Sequence, residues 1–197
     1  METKFVIGIS LVALSLICIF WSLIRKNNSF FNINKVVKDH LNIFKQCPYQ
    51  YVIFYGFPLF FAIGLALIYQ AGETFYSELS VVIGILLSIL MAILSIISGY
   101  DFSNIKNEEQ RQRAYAVRKE TINAIVFDSL LCIFMMLYSL SLIVVDGADC
   151  SFIKIDVNVL KSVLSGIAYY VFAVILLTLF LVVKHMSNLG SCNQKND

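Results

Sequence analysis

Apolar and polar positions alternate in long blocks along this chain. Five apolar runs, each about 19 to 25 residues long, cover 5–24, 51–69, 79–98, 121–145 and 160–183. A helix needs roughly 20 apolar residues to cross about 30 Å of hydrocarbon. Backbone groups in hydrocarbon must be hydrogen-bonded within their own segment, so such spans are helices. The pattern predicts an all-α, polytopic transmembrane protein with about five spans, forming one integral membrane domain over 1–197.

The first run has a second interpretation, that of a signal peptide. It carries only Lys4 before it and has no small-x-small cleavage site, and its 20 apolar residues are long for a signal sequence. We therefore favour a retained first helix. If it is not retained, four spans remain.

Basic residues predict the orientation of the spans. Of the 15 Lys and Arg residues, 12 lie in the segments 25–50, 99–120 and 184–197. Loops rich in Lys and Arg stay in the cytosol. The segments between these, 70–78 and 146–159, are short and mainly acidic. We expect a multi-pass protein of the cytoplasmic (inner) membrane, with its N-terminus outside and its C-terminus in the cytosol.

Composition narrows the class of protein. The chain has 59% hydrophobic residues, 14% charged residues and a mean hydropathy of +0.79, which excludes a compact soluble enzyme. The net charge of +2 is too small to indicate direct nucleic-acid binding.

The first cytosolic segment carries an amphipathic pattern over 29–46. Its apolar positions recur at spacings of three and four: Phe30, Ile33, Val37, Leu41 and Phe44. Lys35, Lys38 and Lys45 lie on the other face, which is typical of a helix on an anionic cytoplasmic leaflet. Two interpretations stay open. The helix either only connects spans, or senses lipid composition or binds a partner.

The second cytosolic segment predicts a helix that continues into span four. Asp101 and Ser103 are candidate caps, and no Gly or Pro interrupts 102–146, so one helix of about 60 Å is expected. Its cationic candidates for a cytosolic protein partner are Arg111, Arg113, Arg118 and Lys119. The alternative is a charged helix that is merely solvated.

Span three has a face of small residues spaced by four, namely Ser80, Gly84, Ser88 and Ala92. Such faces allow close approach of helix backbones in a membrane. The pattern predicts either a homo-oligomer contact or packing on the chain's own spans.

Span four contains a lone carboxyl, Asp128. An aspartate in mid-helix costs roughly 2.5 to 3.5 kcal/mol on insertion, so it is by default a functional candidate. It shares a polar stripe with Thr121, Cys132, Met135 and Ser139, and Asn123 lies close by. The structural alternative is an aspartate that joins helices by bonding to Ser165, Tyr169 or Tyr170.

Catalytic motifs are absent. The chain has no GxSxG, HExxH or phosphate-binding glycine loop, and no Cys or His cluster for a metal. His40 and His185 are single residues in segments that read as polar and cytosolic. We expect a protein that is not an enzyme and that carries no metal or other cofactor.

The whole-chain architecture resembles the small membrane components of bacterial anti-phage systems, in particular the Kiwa membrane subunit. The likeness rests on several spans, the basic amphipathic segment from Phe30 to Lys45 and the cytosolic helix from Asn104 to Glu120. That family is expected to have four spans, whereas this chain has five apolar runs. The resemblance implies a homo-oligomeric membrane sensor that holds a soluble partner at the inner membrane.

Two functions follow as hypotheses. One is a non-enzymatic sensor or scaffold that recruits or regulates a cytosolic partner. The other is a pore- or leak-forming effector with Asp128 on its pathway.

Overall fold

The computed structural model of the protein describes residues 33–44, 48–103, 107–146 and 157–194. All regular structure in these ranges is helical, which confirms the predicted all-α class. The predicted first span, 5–24, and Lys45 lie outside the described residues. The chain divides into two compact units, Met1–Asn42 and Ile43–Asp197.

Helix α1, Ile33–Ile43, begins in the first unit. Lys35 and Lys38 are exposed, as the amphipathic pattern predicted. His40 departs from the prediction of polar surroundings, because it is only 1% exposed. Burial disfavours the charged imidazolium, and it lowers the pKa of His40 to about 4.

The second unit contains four long helices: α2 (Pro48–Ile68), α3 (Glu73–Gly99), α4 (Glu108–Asp146) and α5 (Val157–Gln194). Each is long and apolar enough to cross a membrane, over Tyr49–Ile68, Glu73–Gly99, Glu108–Val144 and Asn158–Ser187. These segments agree with the last four predicted spans. Within the described ranges the protein is a polytopic helical membrane protein.

The start of α4 differs from the prediction. Asn107 caps the helix, because its Oδ1 accepts hydrogen bonds from the amides of Glu109 at 3.0 Å and Gln110 at 3.4 Å. Asp101 and Ser103 instead form a local turn, in which the Ser103 amide donates to Asp101 Oδ1 at 2.9 Å. These bonds to Ser103 hold the pKa of the Asp101 carboxyl below its usual range.

Spatial neighbours do not follow chain order. Helix α3 packs along α4, α4 packs along α5, and α5 packs along α2. Among the described helices, α2 and α3 are consecutive but do not pack along each other. Helix α4 therefore lies between α3 and α5, and α5 lies between α4 and α2.

Heptad spacing defines the core around α4. One series of its buried positions alternates at intervals of four and three: Thr121, Ile125, Asp128, Cys132, Met135, Ser139 and Leu142. Ala124, Phe127 and Ser129 are buried beside this series. Buried side chains of α3 recur every seven residues at Tyr76, Ile83, Leu90 and Ile97, and those of α5 at Ala168, Ile175 and Val182. Such spacing is typical of interlocking helices. We call the α4 series from Thr121 to Leu142, with the α3 and α5 residues opposite, the seam.

Candidate functional site

Asp128 lies in the seam and is fully buried. Within the described part of the chain, neither carboxyl oxygen has a hydrogen-bond partner. One turn away on either side are Ile125 and Cys132, which are also fully buried. An ionisable group is thus placed at a position where coiled coils ordinarily place apolar side chains.

Two contacts between α4 and α5 show which residues of α5 lie beside Asp128. The Tyr138 hydroxyl donates to the Leu164 carbonyl at 2.9 Å, and His185 Nδ1 lies 4.0 Å from Glu120 Oε2. Interpolating between them places Asp128 opposite Ile175. At 1.5 Å per residue, it lies about 12 Å along α4 from Glu120.

The sequence-predicted polar stripe is only partly assembled. Asp128, Cys132 and Ser139 are fully buried in the seam, and the Oγ atom of Ser139 has no hydrogen-bond partner. Thr121 also lies there, but its hydroxyl donates to the Val117 carbonyl at 2.7 Å. Asn123 is half-buried and falls off the seam.

The hydrogen-bond partners predicted for a structural Asp128 were wrong. Tyr169 donates to the Tyr69 carbonyl at 3.4 Å, just after the C-terminus of α2. Ser165 is occupied there as well, and neither Ser165, Tyr169 nor Tyr170 forms a hydrogen bond with the Asp128 oxygens. The antiparallel register explains this, because residues 165–170 lie level with the far end of α4.

Ser165 is the centre of a polar cluster beside the connection between α2 and α3, which the sequence did not predict. Its Oγ accepts a hydrogen bond from the amide of Ala71 at 3.0 Å and lies 3.3 Å from the Tyr76 hydroxyl. The same Oγ donates to the Lys161 carbonyl at 2.8 Å. The cluster ties the connection between α2 and α3 to α5. Ser165 carried no sequence signal beyond being polar in an apolar run.

A second junction joins the end of α3 to the N-terminal third of α4. Arg118 donates through Nη2 to the Ser98 carbonyl at 2.6 Å and through Nη1 to the Tyr100 carbonyl at 3.3 Å. Phe102 packs between Tyr100 and Tyr115, with ring centroids 5.9 and 5.3 Å apart. A cation at the C-terminus of a helix satisfies its last carbonyls and its dipole. Arg118, a predicted partner-binding residue, thus holds α3 and α4 together.

The other predicted cationic residues of α4 face solvent. Arg113 pairs with Glu109 at 2.5 Å, with both side chains 73% exposed, and Arg111 pairs with Glu108. Lys119 is exposed too. The surface presents cations that alternate with carboxylates, so it is mixed in charge rather than purely basic.

The small face of α3 is open in the described part of the chain. Ser88 and Ala92 are exposed, Ser80 is half-buried, and a Cβ built on Gly84 meets no atom within 4 Å. The hydroxyls of Ser80 and Ser88 are satisfied along their own helix, by the carbonyls of Tyr76 and Gly84 at 2.9 Å. The buried face of α3 is a different one, which carries Ile83 and Leu90.

The seam contains no metal-binding arrangement. No group of three or more His, Cys, Asp or Glu side chains comes together anywhere in the described ranges. Chemically, the seam holds one carboxyl, one thiol and a few hydroxyls among aliphatic side chains. Such a set can bind or release a proton, but it offers no constellation for nucleophilic catalysis.

This molecule is therefore a helical membrane protein in which α4 packs between α3 and α5 by heptad-spaced side chains. Comparison of the chain with protein-family models, with curated proteins and with solved structures finds no match.

Proposed function

We propose that this protein is a non-enzymatic, homo-oligomeric sensor or scaffold of the cytoplasmic membrane that recruits or regulates a cytosolic protein. The observation that carries the proposal is the continuity of α4. One helix of 39 residues includes both the seam around Asp128 and a charged cytosolic surface. A helix transmits a displacement along its axis, so a change of packing in the seam reaches that surface.

The cytosolic part of α4 is braced against α3, which favours a role in transmission. Ala114 is fully buried beneath Phe102, and Arg118 binds the last carbonyls of α3. A merely solvated helix needs neither contact. We infer that this brace makes the exposed surface around Gln112 and Arg113 a rigid platform for a protein partner.

The remaining parts of the proposal rest on sequence and packing together. The open small face of α3 supports self-association, because small faces are the usual contact between membrane helices. The exposed Lys35 and Lys38 of α1 support contact with anionic lipid in the cytoplasmic leaflet. The distribution of the basic residues supports a cytosolic C-terminus and an external N-terminus. The architectural resemblance to the Kiwa membrane subunit supports a role in antiviral defence.

The experiment combines photo-cross-linking with a charge swap. A photoreactive residue at position 112 or 116 should form a discrete adduct with a cytosolic protein in cells, while the same residue at the lipid-facing position 133 should not. Reversing Arg111 and Arg113 to Glu should release that protein from membranes without removing this one.

The matched control for charge reversal is the double swap Glu109→Arg with Arg113→Glu. It keeps the intrahelical pair, which is worth roughly 0.3 to 0.5 kcal/mol, and inverts its pattern on the surface. Partner loss in this variant shows that the surface pattern is read. Normal partner retention in both variants contradicts docking on α4.

The pore hypothesis takes second place. Asp128 and Ser139 supply the polar groups that a pathway needs, but both are fully buried between helices of one protomer. A pore along α4 requires the seam to open. A potential-sensitive dye separates the two functions, since a pore collapses the membrane potential when the protein is activated and a scaffold does not.

A further inference from the structure

The buried carboxyl of Asp128 presents a physical problem that the sensor function does not address. A carboxylate removed from water needs a cation or several hydrogen-bond donors to offset its desolvation. Among the described residues its two oxygens have no hydrogen-bond partner, and the side chain is fully buried. The adjacent buried hydroxyl of Ser129 does not donate to it. The groups that remain to resolve this problem are a cationic side chain, a bound metal ion or a proton.

No cationic side chain of the packed helices faces Asp128. On α3, residues 79–99 contain no titratable group, and neither do residues 171–183 of α5. On α4 itself, the only other titratable group between 121 and 137 is Cys132.

The titratable groups beyond these stretches lie at the two ends of the bundle. Arg118, Glu120, Lys184 and His185 lie at the cytosolic end, and Tyr76, Tyr138, Tyr169 and Tyr170 lie toward the outer end. Arg118, ten residues from Asp128, is bound to α3 carbonyls.

A metal ion is also a poor fit. Hard cations take about six oxygen ligands. Few oxygens lie near Asp128 among the buried side chains: Ser129 follows it on α4 with a buried hydroxyl, and Thr178, one turn from Ile175 on α5, donates its hydroxyl to the Val174 carbonyl at 3.0 Å. Together with the carboxyl they fall short of about six. Softer metals need several thiolate or imidazole ligands, and Cys132 is the one candidate within a helical turn. The seam therefore suits a neutral group.

We propose that Asp128 is a proton-binding site, and that its bound proton keeps the seam between α3, α4 and α5 closed. The neutral acid packs among aliphatic side chains, whereas the carboxylate requires water. Closed helices hold the proton more tightly than separated ones, so release of the proton at rising pH favours separation of the seam. This inference concerns the protomer's interior and holds whether or not a cytosolic partner binds α4.

The first test is infrared spectroscopy of the full chain in lipid bilayers at pH 7. A carboxylic-acid C=O band that shifts when aspartate is labelled with ¹³C should be present in the wild type and absent in Asp128→Asn. Asp101→Asn should keep the band, because the Asp101 carboxyl is exposed and ionised. No labelled acid band in the wild type at pH 7 overturns the proposal, and this measurement needs no variant to fold.

The second test uses Cys132 as a reporter of seam opening. Cys132 is fully buried one turn from Asp128, and the other four cysteines (Cys18, Cys47, Cys150 and Cys192) are replaced by Ser. Alkylation of any thiol by N-ethylmaleimide rises about tenfold per pH unit below the thiol's pKa, because the thiolate reacts. If opening of the seam releases one proton, the alkylation rate increases by a further factor of up to about ten per pH unit.

The wild type should therefore show a steeper dependence of alkylation on pH than Asp128→Asn, which keeps the shape of the side chain but cannot ionise. Equal slopes in the two proteins mean that the proton does not control the seam. If Asp128→Asn is not recovered folded, Asp128→Val serves as the second variant, and it should likewise show only the thiol slope.

Discussion

Arg118 Nη2 lies 2.6 Å from the carbonyl oxygen of Ser98, so a residue in the N-terminal third of α4 caps the end of α3. This bond spans 20 positions of the sequence and closes the turn between α3 and α4. Because helix carbonyls at a C-terminus otherwise have no partner, the guanidinium replaces water there. The contact joins the N-terminal third of α4 to the end of α3.

Removing the guanidinium should loosen the N-terminal third of α4. Arg118→Met keeps the apolar stem but loses both hydrogen bonds, which should destabilise the junction by about 1 kcal/mol. Hydrogen exchange of the amides in 108–120 should speed up, while exchange in 125–142 stays unchanged. Lys119→Met is the matched control, since that side chain is exposed. Equal exchange in the two variants would mean that Arg118 does not brace the helix.

Ser165→Ala should destabilise the end of the bundle where α2 connects to α3. The buried amide of Ala71 and the Tyr76 hydroxyl both lose their contact with Ser165 Oγ, and an unsatisfied buried donor costs about 1 to 3 kcal/mol. The thermal midpoint in detergent should fall. Ser162→Ala is the control, because its bond to Gln70 is exposed. A similar midpoint for both variants would contradict the central role of Ser165.

Gly84→Leu should reduce the oligomer without unfolding the protomer. A Cβ at Gly84 meets no atom within 4 Å, so a larger side chain has room in one chain but blocks close approach of a second helix. Native mass spectrometry in detergent measures the subunit number, and circular dichroism reports helix content.

Ile85→Leu is the control for that substitution, at a neighbouring site that is 57% exposed. It should leave the subunit number unchanged. If Gly84→Leu also leaves it unchanged, the small face contacts lipid rather than another protomer.

Acidification should loosen α1. The pKa of His40, about 4, lies below the ordinary value of 6.5, so the unfolded helix binds a proton more readily than the folded one. Its contribution to stability is complete above pH 6.5 and is lost as the pH falls toward 4. Between pH 6.5 and 5 the loss is about 2 kcal/mol.

Hydrogen exchange of α1 amides, corrected for intrinsic rates, measures this effect at pH 7, 6 and 5. Protection should decline in the wild type. His40→Phe keeps a buried ring without a titratable group, and its protection should stay constant. A parallel decline in His40→Phe would assign the pH effect to another group.

The candidate site was only partly predictable. Asp128 stands out in a hydropathy profile, because an ionisable residue in an apolar run of 25 residues indicates either burial between helices or a function. Its surroundings did not follow from that profile. Cys132 and Ser139, which the helical stripe placed beside Asp128, are buried in the seam, whereas Asn123 is not. A stripe covers a range of angles around the helix axis, and only contact with α3 and α5 determines which part of that range is buried.

The amphipathic pattern of α1 had a similar limit. Lys35 and Lys38 were expected at the surface and are exposed, because a charged side chain has a large desolvation cost anywhere else. The desolvation cost of His40 is smaller, because its imidazole can be neutral. Its polarity predicted exposure, yet its position one turn from Val36 and Val37 on the helix allowed burial.

The sequence by itself determined the helical class and the last four spans, because about 20 apolar residues in hydrocarbon can satisfy their backbone only as a helix. Only the tertiary structure decided which helices are neighbours. All the spans are apolar to a similar degree, so hydropathy does not distinguish one pairing from another. The choice depends on a few specific bonds and on side-chain shape. Ser165 binds the connection after α2 to α5, Arg118 binds the end of α3 to α4, and the heptad positions of α4 fit between α3 and α5.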